Sequence, residues 1–389
     1  MRGTVVIIGA GQAGLTVAIA LRERGWLGEI HLVGDERHAP YQRPPLSKGY
    51  LSGAEGPEEL WLRTEEALAK DRVRLRKGTS VERILREEQR VVLSGGESLP
   101  YDALVIATGS VPRRLELPGG ELEGIHAIRT IADADHLRED FAAAGDTVFI
   151  GGGFLNLEVA VEAARHGTAT VLEVAPQILG RVLSRAAANA LEEHHAASGM
   201  RIRCGASIES FVGEAGRVTG VRLADGEVLP AARVVLSIGA IARDELAADA
   251  GLETAGGIVV DERLRTGDAR ILAIGDCARY PNPYAGIDMR VESVQNATDQ
   301  ARYVADALTG KAVGPYRAVP WFWSTQGDRR LQIAGIAMPG DEARVVERTD
   351  AGKLVVERLR EGRVVAVETI NAPGPHMRAR KALSQLVEV

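Results

Sequence analysis

Short runs of consecutive apolar residues recur along the first two thirds of the chain, and most are followed by a stretch with helical spacing. Such runs are typical of strands buried on both faces, and their alternation with helices predicts parallel, doubly wound sheets. The predicted strands are residues 5–8, 30–33, 103–107, 169–172, 233–238 and 271–274, with one more opening at Val148, and the predicted helices are residues 13–24, 155–166 and 295–308.

The pattern changes near Pro315. Four segments after it resemble antiparallel strands (331–335, 343–347, 353–359 and 363–371), and a C-terminal helix is predicted near residues 376–386. We therefore predict an α/β protein with two Rossmann-like dinucleotide-binding domains and a C-terminal α+β domain with an antiparallel sheet. The predicted domains are residues 1–111 with 240–314, residues 112–239, and residues 315–389.

A complete glycine fingerprint follows the first strand. Gly9 permits a tight turn, Gly11 lets a pyrophosphate approach the backbone, and Gly14 allows close packing of helix and strand. The free N–H groups of the helix N-terminus favour a bound phosphate. Asp35, just after the second strand, is a candidate for binding an adenosine ribose, although Glu36 is adjacent and either acid also fits a solvated loop.

A second glycine turn opens the second unit, with Gly151 and Gly153 but Asn156 in place of the third glycine. We expect Asn156 to push out or bend the helix at its first turn and to weaken the grip on phosphate. Glu173 ends the next strand, where a carboxylate accepts hydrogen bonds from a ribose and repels a 2′-phosphate. The second unit is therefore expected to favour NADH over NADPH. Arg181 fits a surface position at least as well as a cofactor contact.

Composition narrows the class of protein. The 389 residues are 45% hydrophobic and 26% charged, and the net charge of −6 comes without any block of like charge that would suit a nucleic acid. No apolar run approaches membrane-spanning length, and no signal peptide is expected before the first strand, so we expect a cytoplasmic protein. Cys204 and Cys277 lie far apart in the sequence. This spacing argues against a disulfide framework, against a dithiol relay and against a metal site.

The chain carries six motifs in a particular order: RPPLSK at 43–48, ATG at 107–109, GGGFLNLE at 151–158, AIGDCA at 273–278, RVESVQNA at 290–297 and PWFWS at 320–324. In their order and spacing these motifs resemble one family, the FAD- and NADH-dependent ferredoxin reductases that serve oxygenases. The resemblance covers nearly the whole chain. It departs from the family pattern at Gln42, Ala242-Arg243 and Thr325, as well as at Asn156.

The resemblance implies that the first unit carries FAD and the second NADH, with Lys48 and Glu158 paired beside the flavin N5 and Trp323 near the ring. The implied catalytic residues are Lys48, Glu158 and Trp323. The implied FAD-binding residues are Gly9, Gly11, Gly14, Asp35, Arg43, Lys48, Thr108, Gly109, Asp276, Glu292, Val294 and Trp323. The implied NAD-binding residues are Gly151, Gly153, Asn156, Glu158, Glu173 and Gly239.

The resemblance also implies a partner, a small acidic 2Fe–2S ferredoxin that feeds a P450 or Rieske-type oxygenase. Because this chain is itself acidic, docking requires a local basic face near the flavin. The candidates are Arg290, Arg302, Arg317, Arg329 and Arg330. An NADH oxidase or a rubredoxin reductase fits the same motifs. An NADH-sensing interaction protein like apoptosis-inducing factor ranks last, because the chain after Pro315 lacks a long polar insertion.

Overall fold

A computed structural model describes residues 3–386 and contains two parallel sheets. Five strands form the first sheet, in the spatial order Ile271–Ala273, Ala103–Ile106, Val5–Ile8, Ile30–Val33 and Arg74–Arg76. The strands Val5–Ile8 and Ile30–Val33 are wholly buried, which explains why their residues are apolar apart from His31. The helices Gln12–Glu23 and Val294–Leu308 pack against each other, and alanines predominate among their buried residues.

The second sheet repeats the parallel arrangement. Its five strands follow the order Arg201–Cys204, Ala169–Glu173, Thr147–Ile150, Arg233–Leu236 and Ile125–His126. Its helices are Ile131–Phe141, Phe154–Ala163 and Arg185–Ala197. In both sheets the strand before the glycine turn lies between the strand that follows its helix and a strand from much later in the chain. The prediction of two Rossmann-like units is confirmed.

The third sheet is antiparallel, as predicted. Its strands follow the order Trp321–Gln326, Arg329–Gly335, Arg363–Ile370, Leu354–Arg360 and Glu342–Arg348, and the helix Pro373–Gln385 packs on it. The strand Trp321–Gln326 is absent from the prediction, although it carries the PWFWS motif. Its first three residues are only partly buried, so the segment lacks the alternation that would mark a strand.

Several small sheets and short helices are also absent from the prediction. The antiparallel strands are Val81–Leu85 with Arg90–Leu93 and Ser98–Pro100, Ile208–Glu214 with Arg217–Leu223 and Val228–Pro230, and Ala278–Asn282 with Ile287–Met289. Strand Ile258–Val259 pairs in parallel with Ala278–Asn282. The short helices are Pro57–Leu60, Glu65–Lys70 and Glu245–Asp249, with single 3₁₀ turns at Pro44–Ser47 and Gly275–Cys277.

The chain passes between the two parallel sheets twice, and the two crossings pair with each other. Strand Ser110–Pro112 forms an antiparallel ribbon with Ala240–Ala242. The predicted boundaries after residues 111 and 239 lie in or next to this ribbon, and all the predicted boundaries stay a prediction. No helix within residues 3–386 is long and apolar enough to cross a membrane.

Candidate active site

A cleft of about 570 Å³ lies at the carboxyl ends of the first sheet's strands. This edge of a parallel sheet is the usual place for a ligand in doubly wound folds. Twelve of the residues predicted to bind or act on a cofactor line it: Gly9, Gly11, Asp35, Arg43, Lys48, Thr108, Gly109, Glu158, Asp276, Glu292, Val294 and Trp323. All but Glu158 and Trp323 come from the first unit, so the cleft also receives side chains from the second unit and the third sheet.

The first glycine turn leaves the cleft floor open. Gly9 has a φ of +109°, and a Cβ there would lie 2.1 Å from the Ala107 carbonyl oxygen. A Cβ on Gly14 would lie 1.9 Å from the Gly9 carbonyl oxygen, so this glycine serves packing and does not line the cleft. A Cβ added at Gly11 would meet no atom within 4 Å. The turn therefore leaves room for a ligand to approach the backbone at Gly11.

Both candidate acids at the end of the second strand line the cleft, and each has a cationic partner. Asp35 Oδ2 lies 2.8 Å from Nη1 of Arg243. Glu36 Oε1 lies 2.6 Å from Nη2 of Arg43, and its other oxygen accepts a hydrogen bond from the Tyr41 hydroxyl. These pairs hold the two carboxylates in place in the lining of the cleft. Both acids remain candidates for a ribose.

Lys48 and Glu158 form an ion pair, with Nζ 2.5 Å from Oε2. The Ser47 hydroxyl donates to the same carboxylate oxygen at 2.7 Å, and the Ser324 hydroxyl donates to Oε1 at 2.5 Å. The Glu158 side chain is 8% exposed, so this charge depends on its donors. Three parts of the fold meet here: the RPPLSK loop, the helix Phe154–Ala163 and the strand Trp321–Gln326.

Asp276 also lines the cleft. Its Oδ2 accepts hydrogen bonds from Arg129 Nη2 and from the Ser110 hydroxyl, each at 3.1 Å. Arg290 donates to the Asp276 backbone carbonyl at 2.7 Å and pairs with Glu292 at 2.9 Å. Burial raises the pKa of the Glu292 carboxyl. Arg290 is therefore paired with groups beside the cleft, and its part in a docking face stays a prediction.

Aromatic side chains line one part of the cleft and continue beyond it. Trp323 lines it, whereas Trp321 stands outside it with its ring 5.5 Å from that of Trp323. The guanidinium of Arg380 lies 4.2 Å from the Trp321 ring, an attractive cation–π contact. Phe322, on the same strand, packs against Phe154 with the rings 4.6 Å apart.

Sequence reasoning missed several residues that line the cleft. They are Tyr41, Val81, Arg129, Phe154, Arg243 and Phe322. Phe154 lies in the GGGFLNLE motif and Phe322 in the PWFWS motif, so their position next to predicted site residues could have identified them. Arg129 and Val81 belong to no motif, and only the fold brings them to the cleft.

The second glycine turn lies outside the cleft lining. Gly151, Gly153, Asn156, Glu173 and Gly239 are absent from it. Gly151 repeats the geometry of the first turn, since its φ is +100° and a Cβ would lie 2.3 Å from the Ser237 carbonyl oxygen. Gly239 has a φ of +111° and lies beside Arg181, whose Nη2 is 3.8 Å from the position of an added Cβ.

The expectation that Asn156 disrupts its helix is wrong. The helix runs from Phe154 to Ala163, and Asn156 is fully buried in it. Its Nδ2 donates to the carbonyls of Ile150 and Gly151, both at 2.8 Å. The amide side chain thus fills the space between helix and strand and satisfies carbonyls there. Glu173 also contacts the turn, because its Oε2 accepts from the Gly152 N–H at 2.7 Å.

The two cysteines are unpaired, and burial raises the pKa of each thiol. A raised pKa opposes a redox-active thiolate. Within residues 3–386 no group of His, Cys, Asp and Glu is arranged to hold a metal ion.

Residues 3–301 match the family model described as pyridine nucleotide-disulphide oxidoreductase, and residues 321–389 match the model described as reductase C-terminal. The chain belongs to the pyridine nucleotide-disulphide oxidoreductase family. Membership confirms the resemblance inferred from the motifs and brings with it the cofactors FAD and NAD(P)H.

Relatives in this family resemble the chain over nearly its full length. Rhodocoxin reductase of Rhodococcus erythropolis is 43% identical over 98% of this chain and 89% of its own. A rubredoxin-NAD(+) reductase of Pseudomonas putida is 36% identical over 95% of this chain and 96% of its own. These proteins and this oxidoreductase therefore share one domain arrangement.

Solved structures agree with the fold in detail. The ferredoxin reductase for the CYP199A2 system from Rhodopseudomonas palustris has a TM-score of 0.96 at 40% identity, covering 99% of this chain and 95% of its own. Putidaredoxin reductase in its covalent complex with putidaredoxin has a TM-score of 0.94 at 39% identity, covering 98% and 93%.

The cleft fits the adenine dinucleotide of a flavin. An open glycine turn, a helix N-terminus and the cationic groups of Arg43, Lys48 and Arg129 suit a pyrophosphate. Ser293 caps the helix Val294–Leu308 by accepting from Asn296 N at 3.0 Å, and this N-terminus also faces the cleft. Positive potential there suits an electron-rich ring.

Proposed function

We propose that this protein is an FAD-dependent NADH:ferredoxin reductase that feeds a P450 or Rieske-type oxygenase. The observation that carries the proposal is the partly buried Lys48–Glu158 pair, which joins the RPPLSK loop to the helix Phe154–Ala163 in the same cleft as Trp323. FAD, when bound, accepts a hydride from NADH and returns its two electrons singly to a one-electron acceptor.

The chain's own residues orient the cofactors and hold charge. Lys48 places a positive charge on the cleft wall, and Glu158 fixes the position of that charge. The N-terminus of helix Val294–Leu308 adds partial positive charge, which stabilises a reduced ring. Trp323 lines the cleft and would shield part of the bound ring from water. The roles of Lys48, Glu158 and Trp323 support electron transfer without a general base.

NADH is the proposed donor, and Glu173 is the proposed reason. Its carboxylate ends the strand Ala169–Glu173 and accepts hydrogen bonds from the N–H groups of Gly152 and Ala175, so it stands beside the turn expected to bind the pyrophosphate. A fixed negative charge there accepts bonds from ribose hydroxyls and repels a 2′-phosphate. Gly151, Gly153, Asn156 and Gly239 are proposed to complete this site.

The proposed docking face surrounds Trp321, and we call it the tryptophan patch: Trp321, Arg302, Arg330 and Arg380. Arg302 and Arg380 both lie close enough to Asp299 to lower the pKa of that carboxyl, although burial raises it overall. Arg330 and Arg380 both oppose the charging of His376, whose ring is 5.5 Å from that of Trp321. The patch is therefore a local concentration of positive charge beside Trp323.

The patch revises the predicted docking residues. Arg302 and Arg330 are exposed and remain in it, whereas Arg329 contacts His194, Asp328 and Ala351. An acidic 2Fe–2S ferredoxin is the partner whose charge complements this face. The Trp321–Trp323 pair gives a short aromatic connection between the patch and the cleft.

A rubredoxin is the second candidate acceptor, favoured by the rubredoxin-NAD(+) reductase among the relatives. The test is an anaerobic titration with NADH, followed in the visible spectrum, and then addition of either acceptor. Bleaching of the flavin by NADH, with fast recolouring by a 2Fe–2S ferredoxin and slow recolouring by rubredoxin, is the expected result. Fast recolouring by rubredoxin alone would assign the second function, and a flavin that NADH does not bleach would contradict both.

The predicted domain boundaries are also part of the proposal. We assign residues 1–111 and 240–314 to the FAD-binding domain, residues 112–239 to the NAD-binding domain, and residues 315–389 to the C-terminal domain. The ribbon formed by Ser110–Pro112 and Ala240–Ala242 supports a boundary at each crossing.

A further inference from the structure

The Lys48–Glu158 pair is one end of a longer chain of buried hydrogen bonds. Ser324, which donates to Glu158, accepts in turn from Gln326 Nε2 at 2.7 Å. Oε1 of Gln326 lies 3.0 Å from Nε2 of His195, on the helix Arg185–Ala197. Gln326 and His195 are both fully buried, so water does not compete for these bonds.

The donor and the acceptor of each hydrogen bond in this series are fixed, because the Phe154 carbonyl and the Glu158 carboxylate can only accept. The backbone carbonyl of Phe154 accepts from Gln326 Nε2 at 3.3 Å, which turns the amide oxygen toward His195. His195 must therefore donate through its Nε2–H. Ser324 accepts a hydrogen bond from Gln326 and donates its own hydroxyl hydrogen to the Glu158 carboxylate. Along the path from His195 through Gln326 and Ser324, each group therefore donates to the next one toward Glu158.

Lys48 closes the other end. Its three N–H donors have three acceptors: Glu158 Oε2 at 2.5 Å, the Pro44 carbonyl at 3.1 Å and the Ser47 hydroxyl oxygen at 3.2 Å. Among the described residues, Lys48 is the cation that forms an ion pair with Glu158. At the far end of the chain of hydrogen bonds, the ring of His194 lies 5.6 Å from that of His195. Burial lowers the pKa of His195 to about 4, so its ring is neutral near pH 7.

We propose that His195 is a positioning residue for the Lys48–Glu158 pair and acts through Gln326 and Ser324. The directed chain prevents the Glu158 carboxylate from turning away from Lys48, and so holds the ammonium group at one place on the cleft wall. This inference rests on the proposed function, since it concerns the pair expected to act at the flavin. His195 itself does not line the cleft.

The first test compares two replacements of His195. His195→Leu removes the donor, whereas His195→Gln retains an N–H that can reach Gln326. Loss of one hydrogen bond to a charged network should slow flavin reduction by NADH about tenfold in the leucine variant. The glutamine variant should recover most of that rate in stopped flow. Equal rates in wild type and His195→Leu would overturn the proposal.

The second test asks whether His195 acts through Ser324. Ser324→Ala breaks the chain at its last step, so His195→Leu should have no further effect in that background. The flavin reduction potential, which does not depend on NADH, should become more negative in both single variants and no more so in the double variant. Additive effects would mean that His195 is only structural. Thr325→Ala changes an exposed neighbour on the same strand and should behave as wild type.

Glu158→Gln separates the two possible failures. Unchanged reduction rate and potential in this variant would show that the proposed function of the pair is wrong. If Glu158→Gln changes both while His195→Leu changes neither, only the role of His195 is wrong. Should His195→Leu not fold, Gln326→Met, which keeps the side-chain length and removes the amide, replaces it in the double-variant comparison.

Discussion

The two glycine turns occupy equivalent places in the two parallel sheets but hold their helices in different ways. In the first turn, helix and strand approach so closely that a Cβ on Gly14 would lie 1.9 Å from the Gly9 carbonyl oxygen. In the second, Asn156 occupies the position of Gly14, and its amide bridges to the Gly151 carbonyl at 2.8 Å. One contact is steric and made by backbone; the other is a side-chain hydrogen bond.

The same difference extends beyond the turns. The first unit's helix Gln12–Glu23 buries alanine, valine and leucine against an apolar neighbour. Between the second unit and the third sheet, polar contacts stand beside the apolar packing: Glu158 with Ser324, His195 with Gln326, and Ser184 with the buried Glu368. A contact made by close packing should respond to added volume, whereas a contact made by hydrogen bonds should respond to lost donors and to acid.

The largest effect is expected from copying the second turn into the first. Gly14→Asn places a side chain where no Cβ fits, so the helix must move away from the strand at a cost of at least about 3 kcal/mol. We expect loss of bound FAD and a lower thermal midpoint, measured by the flavin-to-protein ratio and by calorimetry. Gly267→Ala, where an added Cβ meets nothing within 4 Å, is the matched control and should remain yellow and stable.

The second largest effect is expected from acid, which should lower the stability of the folded protein through His195 at the contact between the second unit and the third sheet. The pKa of His195 in the folded protein is about 4, below its ordinary value, and burial is the main cause. Between about pH 6.5 and 4 the unfolded chain therefore binds a proton that the folded chain does not. Stability from this group is complete above pH 6.5 and falls by up to about 3 kcal/mol as the pH drops toward 4.

His195→Gln removes this titration while keeping a donor. The thermal midpoint of the variant should fall less than that of the wild type between pH 7 and pH 4.5. The pKa of His376 is also lowered to about 4 by burial, so this residue makes the thermal midpoint of both proteins fall as the pH falls. Identical slopes for variant and wild type would mean that His195 is not the acid-sensitive group.

The reciprocal substitution, Asn156→Gly, should also destabilise rather than restore a better turn. It removes the two hydrogen bonds to the Ile150 and Gly151 carbonyls and places a glycine in a helix, at a total cost of about 2 kcal/mol. NADH binding should weaken, measured by titration calorimetry. Asn156→Asp keeps the shape but points a carboxylate at two carbonyls, and should be worse still. A tighter NADH complex in Asn156→Gly would show that the asparagine obstructs the site.

The parallel strands were predictable because burial on both faces leaves a run that is wholly apolar, as in Val5–Ile8, or apolar with one exception, as in Ile30–Val33 with His31. The small sheets were not, because strands such as Ile208–Glu214 are half exposed and carry charges without strict alternation. The fate of Asn156 was mispredicted for a similar reason: sequence shows that a side chain is polar but not which carbonyls it will face.

The cleft residues divide in the same way. Residues inside compact motifs, such as Gly9 and Asp276, were found from local sequence. Lys48 and Glu158 are 110 positions apart and were paired through family resemblance, which the 2.5 Å contact matches. His195 and Gln326 are 131 positions apart and belong to different layers of the fold, so no local pattern connects them. Long-range polar contacts of this kind come only with the three-dimensional arrangement.

The smallest effect on stability, but the sharpest on specificity, is expected at the second strand of each unit. In the first unit Gly34 follows the strand, and a Cβ there would lie 2.6 Å from Ala10 Cβ, so no acid fits at this point. In the second unit the equivalent residue is Glu173, which faces Gly152.

Glu173→Ala should weaken NADH binding about tenfold, because a ribose loses its acceptor, while NADPH binding changes little or improves. The ratio of kcat/KM for NADH and NADPH measures this directly. Asp35→Ala, at the first unit's acid, is the matched control, and a preference for NADH that survives Glu173→Ala but not Asp35→Ala would reverse the assignment of the two units.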